Sequence, residues 1–216
     1  MAAGRLETVV NVPGTAPDIT RIRSAVAAFV DGARFDWAAL KGSRAAVPLA
    51  EICESHSLCL VEMSRLTHAS VGRHMAGLGV SSLPPEPSRC QIAGYIFGDV
   101  NRAFIFINRD DPFTRRRFSL AHEIGHYMLH RGGFLARATA RPKPVPVELE
   151  YADPREAEAD AFAAEILMPW ELVAPDAMPL HRGEIGPERA VTRLAARLQV
   201  SRQAASRRLR EWPGAS

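Results

Sequence analysis

Arg117-Phe118-Ser119-Leu120-Ala121-His122-Glu123-Ile124-Gly125-His126-Tyr127-Met128-Leu129-His130 is the segment that decides the fold and the chemistry of this chain. Its apolar spacing predicts a helix. Residues four apart share a helix face, so His122 and His126 can turn both imidazoles toward one cation. Glu123 is rotated by about 100° around the helix. That makes it a poor third ligand from the same helix, but well placed for a general base acting on water beside the cation. The pattern His-Glu-x-x-His also arises by chance in helices whose histidines merely pack, so the neighbourhood has to carry weight. Leu120, Ile124 and Leu129 give the helix an apolar side to bury. Gly125 costs a helix interior about 1 kcal/mol against alanine. A close approach to a substrate and tight packing on another element both account for it.

Outward from this segment, the helix is expected over residues 112–130, stopped by Arg131-Gly132-Gly133, where glycine accepts the left-handed conformation. Upstream, residues 91–97 and 103–108 are rich in Ile, Phe and Tyr and are separated by turn residues 98–102, which predicts a β-hairpin. Residues 81–88, with Pro84, Pro85 and Pro87, read as a loop. Residues 58–62 read as a strand, 47–53 as a short helix, and 35–46 are ambiguous. Ile19, Ile22, Val26 and Phe29 have the spacing of an amphipathic helix. Residues 1–18, with Pro13, Gly14 and Pro17, read as a loose leader.

Downstream, residues 134–152 hold Pro142, Pro144 and Pro146 and read as an irregular connection. Asp153-Pro154 then opens a second helix, with an acidic N-cap and a first-turn proline, that must end by Pro169. A catalytic zinc needs a third protein ligand and one open position. Glu156 is the best candidate, and Asp160, four residues on, can accept a hydrogen bond from a ligand histidine. Ala157, Ala159, Ala161, Ala163 and Ala164 would let this helix lie close to the first. Two other readings stand beside this one: Asp153-x-x-Glu156 as a capping box, and Glu158 as a rival ligand.

The chain of 216 residues suits one sizeable domain or one domain with an appendage. The divisions expected are the leader (1–18), a body that carries the His-Glu-x-x-His helix (19–178) and a basic helical tail (179–216). No internal repeat is evident, and no apolar run reaches the roughly 18–20 residues of a membrane helix. The N-terminus lacks the pattern of a secretory signal. Cys53, Cys59 and Cys90 are odd in number and form no CxxC, which suggests reduced thiols in a cytoplasmic protein.

Net charge is +3, but residues 182–211 hold eight arginines and three glutamates, net +5, leaving the remainder near −2. Residues 187–210 read as two short helices split near Gln199-Val200-Ser201, a helix-turn-helix rhythm. Leu194, Ala195, Leu198, Val200, Ala205 and Leu209 would face inward, and Ser201 would cap the second helix. Arg202, Arg207 and Arg208 are then candidate contacts to DNA phosphates or to a protein partner. Packing of the tail on the body is the plainer reading.

Residues 117–126 and 156–169 together resemble the ImmA/IrrE family of zinc-dependent metallo-endopeptidases. That family pairs an Arg-Phe-Thr-Leu-Ala-His-Glu-x-Gly-His-like helix with a Glu-x-x-x-Asn-x-Phe-Ala-x-x-Leu-Leu-Met-Pro-like helix. The likeness extends over roughly residues 20–175, and Asp160 stands where asparagine is common. The resemblance implies an α+β, zincin-like core of helices with a small, mainly antiparallel sheet, followed by the helix-turn-helix-like tail. It implies His122, His126 and Glu156 as ligands of one Zn2+, although affinity order alone does not separate zinc from another divalent ion such as Mn2+. Zinc would lower the pKa of water toward about 7, with Glu123 taking the proton. Tyr127, His130 and His181 are conceivable donors to the oxyanion, each with a structural role as the plainer reading. The strand at 104–108 is a candidate edge for an extended substrate.

Family members cleave or switch off helix-turn-helix repressors of the XRE/Cro type, which implies such a protein substrate in a stress or mobile-element response. The competing expectation is a DNA-associated regulator that inactivates its repressor by binding, with little or no proteolysis. A third is a housekeeping peptidase. An intact Glu123 favours an enzyme.

Overall fold

A computed structural model describes residues 16–33, 39–40, 45–80, 90–98, 103–130 and 153–215. Helix α1 (Ile19–Gly32) starts at Asp18, whose carboxylate accepts the Arg21 N–H and so satisfies a free donor of the first turn. Helix α2 (Leu49–Ser55) leads into strand β1 (Leu58–Met63), helix α3 (His68–Gly77) and the hairpin of β2 (Gly94–Gly98) and β3 (Ala103–Asn108). Then come α4 (Phe113–Leu129), α5 (Pro154–Leu167), α6 (Trp170–His181), α7 (Pro187–Leu198) and α8 (Arg202–Arg210). The fold is α+β. The expected stretches at 1–15, 81–88, 99–102 and 131–152 lie outside the described residues.

The sheet has the order β1-β3-β2 and is mixed rather than mainly antiparallel. The hairpin pairs antiparallel, but β1 runs parallel to β3, Leu58 opposite Ala103 and Met63 opposite Asn108. Parallel neighbours need a crossover, and α3 lies in that connection. Strand β3 is therefore central, with a partner on each side. The edge role expected of residues 104–108 does not fit, because their ladder groups already serve β1 and β2. Side chains along β3 alternate between two cores, as strand geometry requires. Ala103, Ile105 and Ile107 join the main core with α1, α2 and α4–α8. Phe106 joins a smaller one with Leu66, Val71, Met75, Ile92 and Tyr95 beneath α3.

The main core does not stop at the expected boundary between residues 178 and 179. That boundary falls inside α6, and Ala190, Leu194, Leu198, Val200, Ala205 and Leu209 of the α7–α8 segment share one core with α1, α2, α4 and α5. The split near 199–201 is as expected: Gln199 takes a left-handed φ of 56°, and the Ser201 hydroxyl accepts the Ala204 N–H to start α8. Helix α6 has no counterpart in the sequence reading, since Pro175 and Pro179 argue against a helix there.

Candidate metal centre

Helices α4 and α5 touch backbone to backbone at Gly125. A Cβ there would stand 3.1 Å from both Ala159 Cα and Phe162 Cβ. The close approach that this glycine permits is thus to α5, and buried Ala159 and Ala163 permit it from the other side. At this separation, side chains one turn away on each helix meet.

They meet as three ligand-type groups. His122 Nε2 and His126 Nε2 are 3.0 Å apart. The Glu156 carboxylate lies 3.3 Å from each, Oε2 toward His122 and Oε1 toward His126. Among the described residues this is the group of His, Cys, Asp or Glu side chains that could hold a metal ion. Two imidazole nitrogens and a carboxylate oxygen form a zinc-type donor set, and bonds of about 2.0–2.1 Å in a tetrahedron give donor spacings near 3.3 Å. The residues present therefore fit such an ion. Glu158, the rival on the same helix, points instead to His130 and Arg21. Asp153 caps α5 by accepting the Arg155 N–H at 3.0 Å, while the Glu156 carboxylate is directed at the two imidazoles.

Asp160 Oδ1 lies 2.8 Å from His122 Nδ1, which places a ring proton on Nδ1 and directs Nε2 toward the cluster. Burial works against a charge on His122, yet the hydrogen bonds to Asp160 and Glu156 and the nearby Glu123 carboxylate outweigh it and hold its pKa up at about 9. Burial likewise opposes ionisation of Glu156, but hydrogen bonds from His122 and His126 hold it well below the usual carboxylate range. The Glu156 anion thus faces a protonated His122, a positive charge whose place a divalent ion can take.

Glu123 is 2% exposed, and its carboxylate lies against Gly94 of β2: a Cβ there would come 2.6 Å from Glu123 Oε1. Gly94 escaped the sequence reading. The available signal was a glycine in the middle of the strand expected at 91–97, which marks close approach by another group. Arg21, which stands behind His126, likewise has no role assigned from sequence, and His130 and Glu158 beside it figure there only as a candidate oxyanion donor and a rival ligand.

The candidate oxyanion donors do not gather at the cluster. Tyr127 is buried in the main core, His181 is exposed at the end of α6, and His130 faces the outer nitrogen of His126. The three tail arginines do not form one surface either. Arg202 and Arg207 are exposed and paired with Glu188 and Glu211. Arg208 is corrected as a contact to DNA, because it is 4% exposed. It pairs with Glu165 at 2.9 Å, donates to the Met168 carbonyl at 2.9 Å and stacks 3.5 Å above the Trp170 ring.

The family profile of Peptidase_M78, the IrrE N-terminal-like domain, matches residues 83–210. The matched segment runs from before β2 through α8 and contains His122, Glu123, His126, Glu156 and Asp160. No curated protein matches the chain. With more than half of its length inside that profile, the chain belongs to the peptidase M78 family of IrrE N-terminal-like domains.

Proposed function

We propose that the protein is a zinc-dependent endopeptidase of regulatory role, cleaving a helix-turn-helix repressor of the XRE/Cro type in the cytoplasm during a stress or mobile-element response. The observation that carries the hydrolytic reading is the convergence of His122, His126 and Glu156 from two touching helices, with Glu123 buried beside them. A zinc ion held by those three residues would act as a Lewis acid and lower the pKa of water toward about 7.

The chain's own groups supply the rest. Glu123 accepts the proton of the attacking water and passes it to the departing amine nitrogen. Asp160 fixes the tautomer of His122 through Nδ1. Among the described residues β2 is an outer strand of the sheet and carries Gly94 against Glu123, so an extended peptide laid along its outer side would lie next to the general base. The tail is assigned to packing rather than to nucleic acid, since Arg208 anchors α8 to α5 and α6.

The choice of substrate rests on the resemblance carried by residues 117–126 and 156–169. No helix among the described residues is long and apolar enough to cross a membrane, which is compatible with a cytoplasmic partner. The test is incubation with zinc and a repressor encoded beside the protein, comparing wild type with Glu123→Gln, and repeating it with Mn2+. Cleavage by wild type alone, with zinc retained by the variant, is expected. Cleavage by both, or by neither with any metal, contradicts the enzymatic reading. Tight binding without cleavage would support inactivation by binding instead.

A further inference from the structure

We propose that His130, Glu158 and Arg21 form a positioning chain that fixes the ring orientation and tautomer of His126 for metal binding. The inference rests on the reading of His122, His126 and Glu156 as metal-holding. The two imidazoles of that cluster have different supports. His122 meets a carboxylate directly through Asp160. His126 Nδ1 instead lies 3.1 Å from His130 Nδ1, and His130 Nε2 lies 2.8 Å from Glu158 Oε2. Arg21 holds the far end, donating to Glu158 Oε1 at 2.9 Å and to the Leu129 carbonyl at 2.7 Å.

One arrangement of protons satisfies the whole chain. For His126 to offer the Nε2 lone pair to a cation, its proton must sit on Nδ1 and be donated to His130 Nδ1. His130 must then carry its own proton on Nε2 and donate it to Glu158. The carboxylate accepts, and its other oxygen accepts from the guanidinium of Arg21. Each imidazole is neutral and each has one assigned tautomer, as metal-ligating histidines require of the groups behind them. The links are sheltered: the side chains of His130 and Glu158 are 12% and 20% exposed.

Three helices supply the parts. His130 follows α4, Glu158 lies on α5, and Arg21 lies on α1, upstream of the segment 83–210 matched by the family profile. Helix α1 is thereby tied to the cluster from behind, as well as to the last turn of α4.

A purely structural clamp would change thermal stability and leave metal affinity alone, and this difference makes the test. Full-length protein stripped by chelator is titrated with Co2+, followed by its visible absorption, with circular dichroism reporting the fold of each variant. His130→Ala is expected to weaken Co2+ binding about 10- to 100-fold. His130→Asn places an amide oxygen where Nδ1 accepts, and is expected to recover most of that loss. Glu158→Gln and Arg21→Ala are expected to weaken binding several-fold, and they keep the test open if His130→Ala does not fold. Folded variants that all bind within about twofold of wild type would overturn the inference, as would equal losses for His130→Ala and His130→Asn. Failure of wild type to bind Co2+ at all is a different result, and it would overturn the metal site itself together with this chain.

Discussion

Gly94→Ala is the substitution that separates position from stability most sharply at this site. The backbone of Gly94 is not in the left-handed region, so alanine adds one methyl group without backbone strain. That methyl would stand 2.6 Å from Glu123 Oε1, 3.1 Å from Cγ and 3.2 Å from Cδ. Ordinary contact begins near about 3.4 Å, so the carboxylate has to retreat by roughly 0.8 Å. It is the far end of a jointed side chain, so it can retreat, and the expected loss of stability is small, about 1 kcal/mol. The rate is another matter. General-base catalysis contributes about 10²- to 10⁴-fold, and a misplacement near 1 Å costs about 10²-fold. The expected result is a fall of about 10²-fold in kcat/KM, or about 2.7 kcal/mol in the barrier, with zinc content and Tm close to wild type. The assay is cleavage of a peptide substrate at fixed zinc, with the metal content of the same samples measured. A rate within about threefold of wild type would refute the reasoning, and so would a loss of rate that merely follows a loss of zinc.

Other outcomes follow from the same contacts. Among the described residues, Arg208→Met leaves the buried Glu165 with the half-exposed Arg23 as its remaining ion-pair partner; a cost of about 3 kcal/mol is expected, read as a Tm lowered by about 6–12 °C. Gly125→Ala would raise helix propensity by about 1 kcal/mol, yet its Cβ meets the Ala159 backbone at 3.1 Å. Net destabilisation together with weaker metal binding is expected, and a stabilised variant would show that the helices do not touch there. In chelator-stripped protein, His122 is raised from 6.5 to about 9. A raised folded-state pKa stabilises fully below the unfolded value, so this contribution is present below about pH 6.5 and lost as pH rises through about 9. Thermal melts of the stripped protein should therefore show Tm falling across that window. Binding of the metal must displace the same proton, so apparent affinity should rise with pH up to about 9.

Much of this arrangement is written in local periodicity. Strong patterns identify α1, α4, α5, the hairpin and the inward face of α7 and α8, because each buries one side of a regular element. His122, His126 and the small residues around Glu156 point to a close approach of two helices, but spacing alone leaves open a capping box at Glu156 and Glu158 as a rival ligand. Other features depend on contacts that spacing along the chain does not encode. Helix α3 buries only Ser70, Val71 and Met75 and starts with a capping box at Thr67, a weak signal. Helix α6 contradicts the usual effect of its two prolines. The parallel pairing of β1 depends on the crossover and not on the composition of β1. Arg208 looks like one more basic residue of a charged tail until Glu165 and Trp170, about forty residues earlier, close around it. Arg21 and Glu158 meet across 137 residues, a separation at which no motif links them.

Crystals of the zinc-loaded protein, measured on both sides of the zinc absorption edge, test the central claim most directly. One anomalous peak is predicted within bonding distance of His122 Nε2, His126 Nε2 and a Glu156 oxygen, and it should be lost in Glu156→Ala. A peak elsewhere, or one that persists unchanged in that variant, would contradict the account.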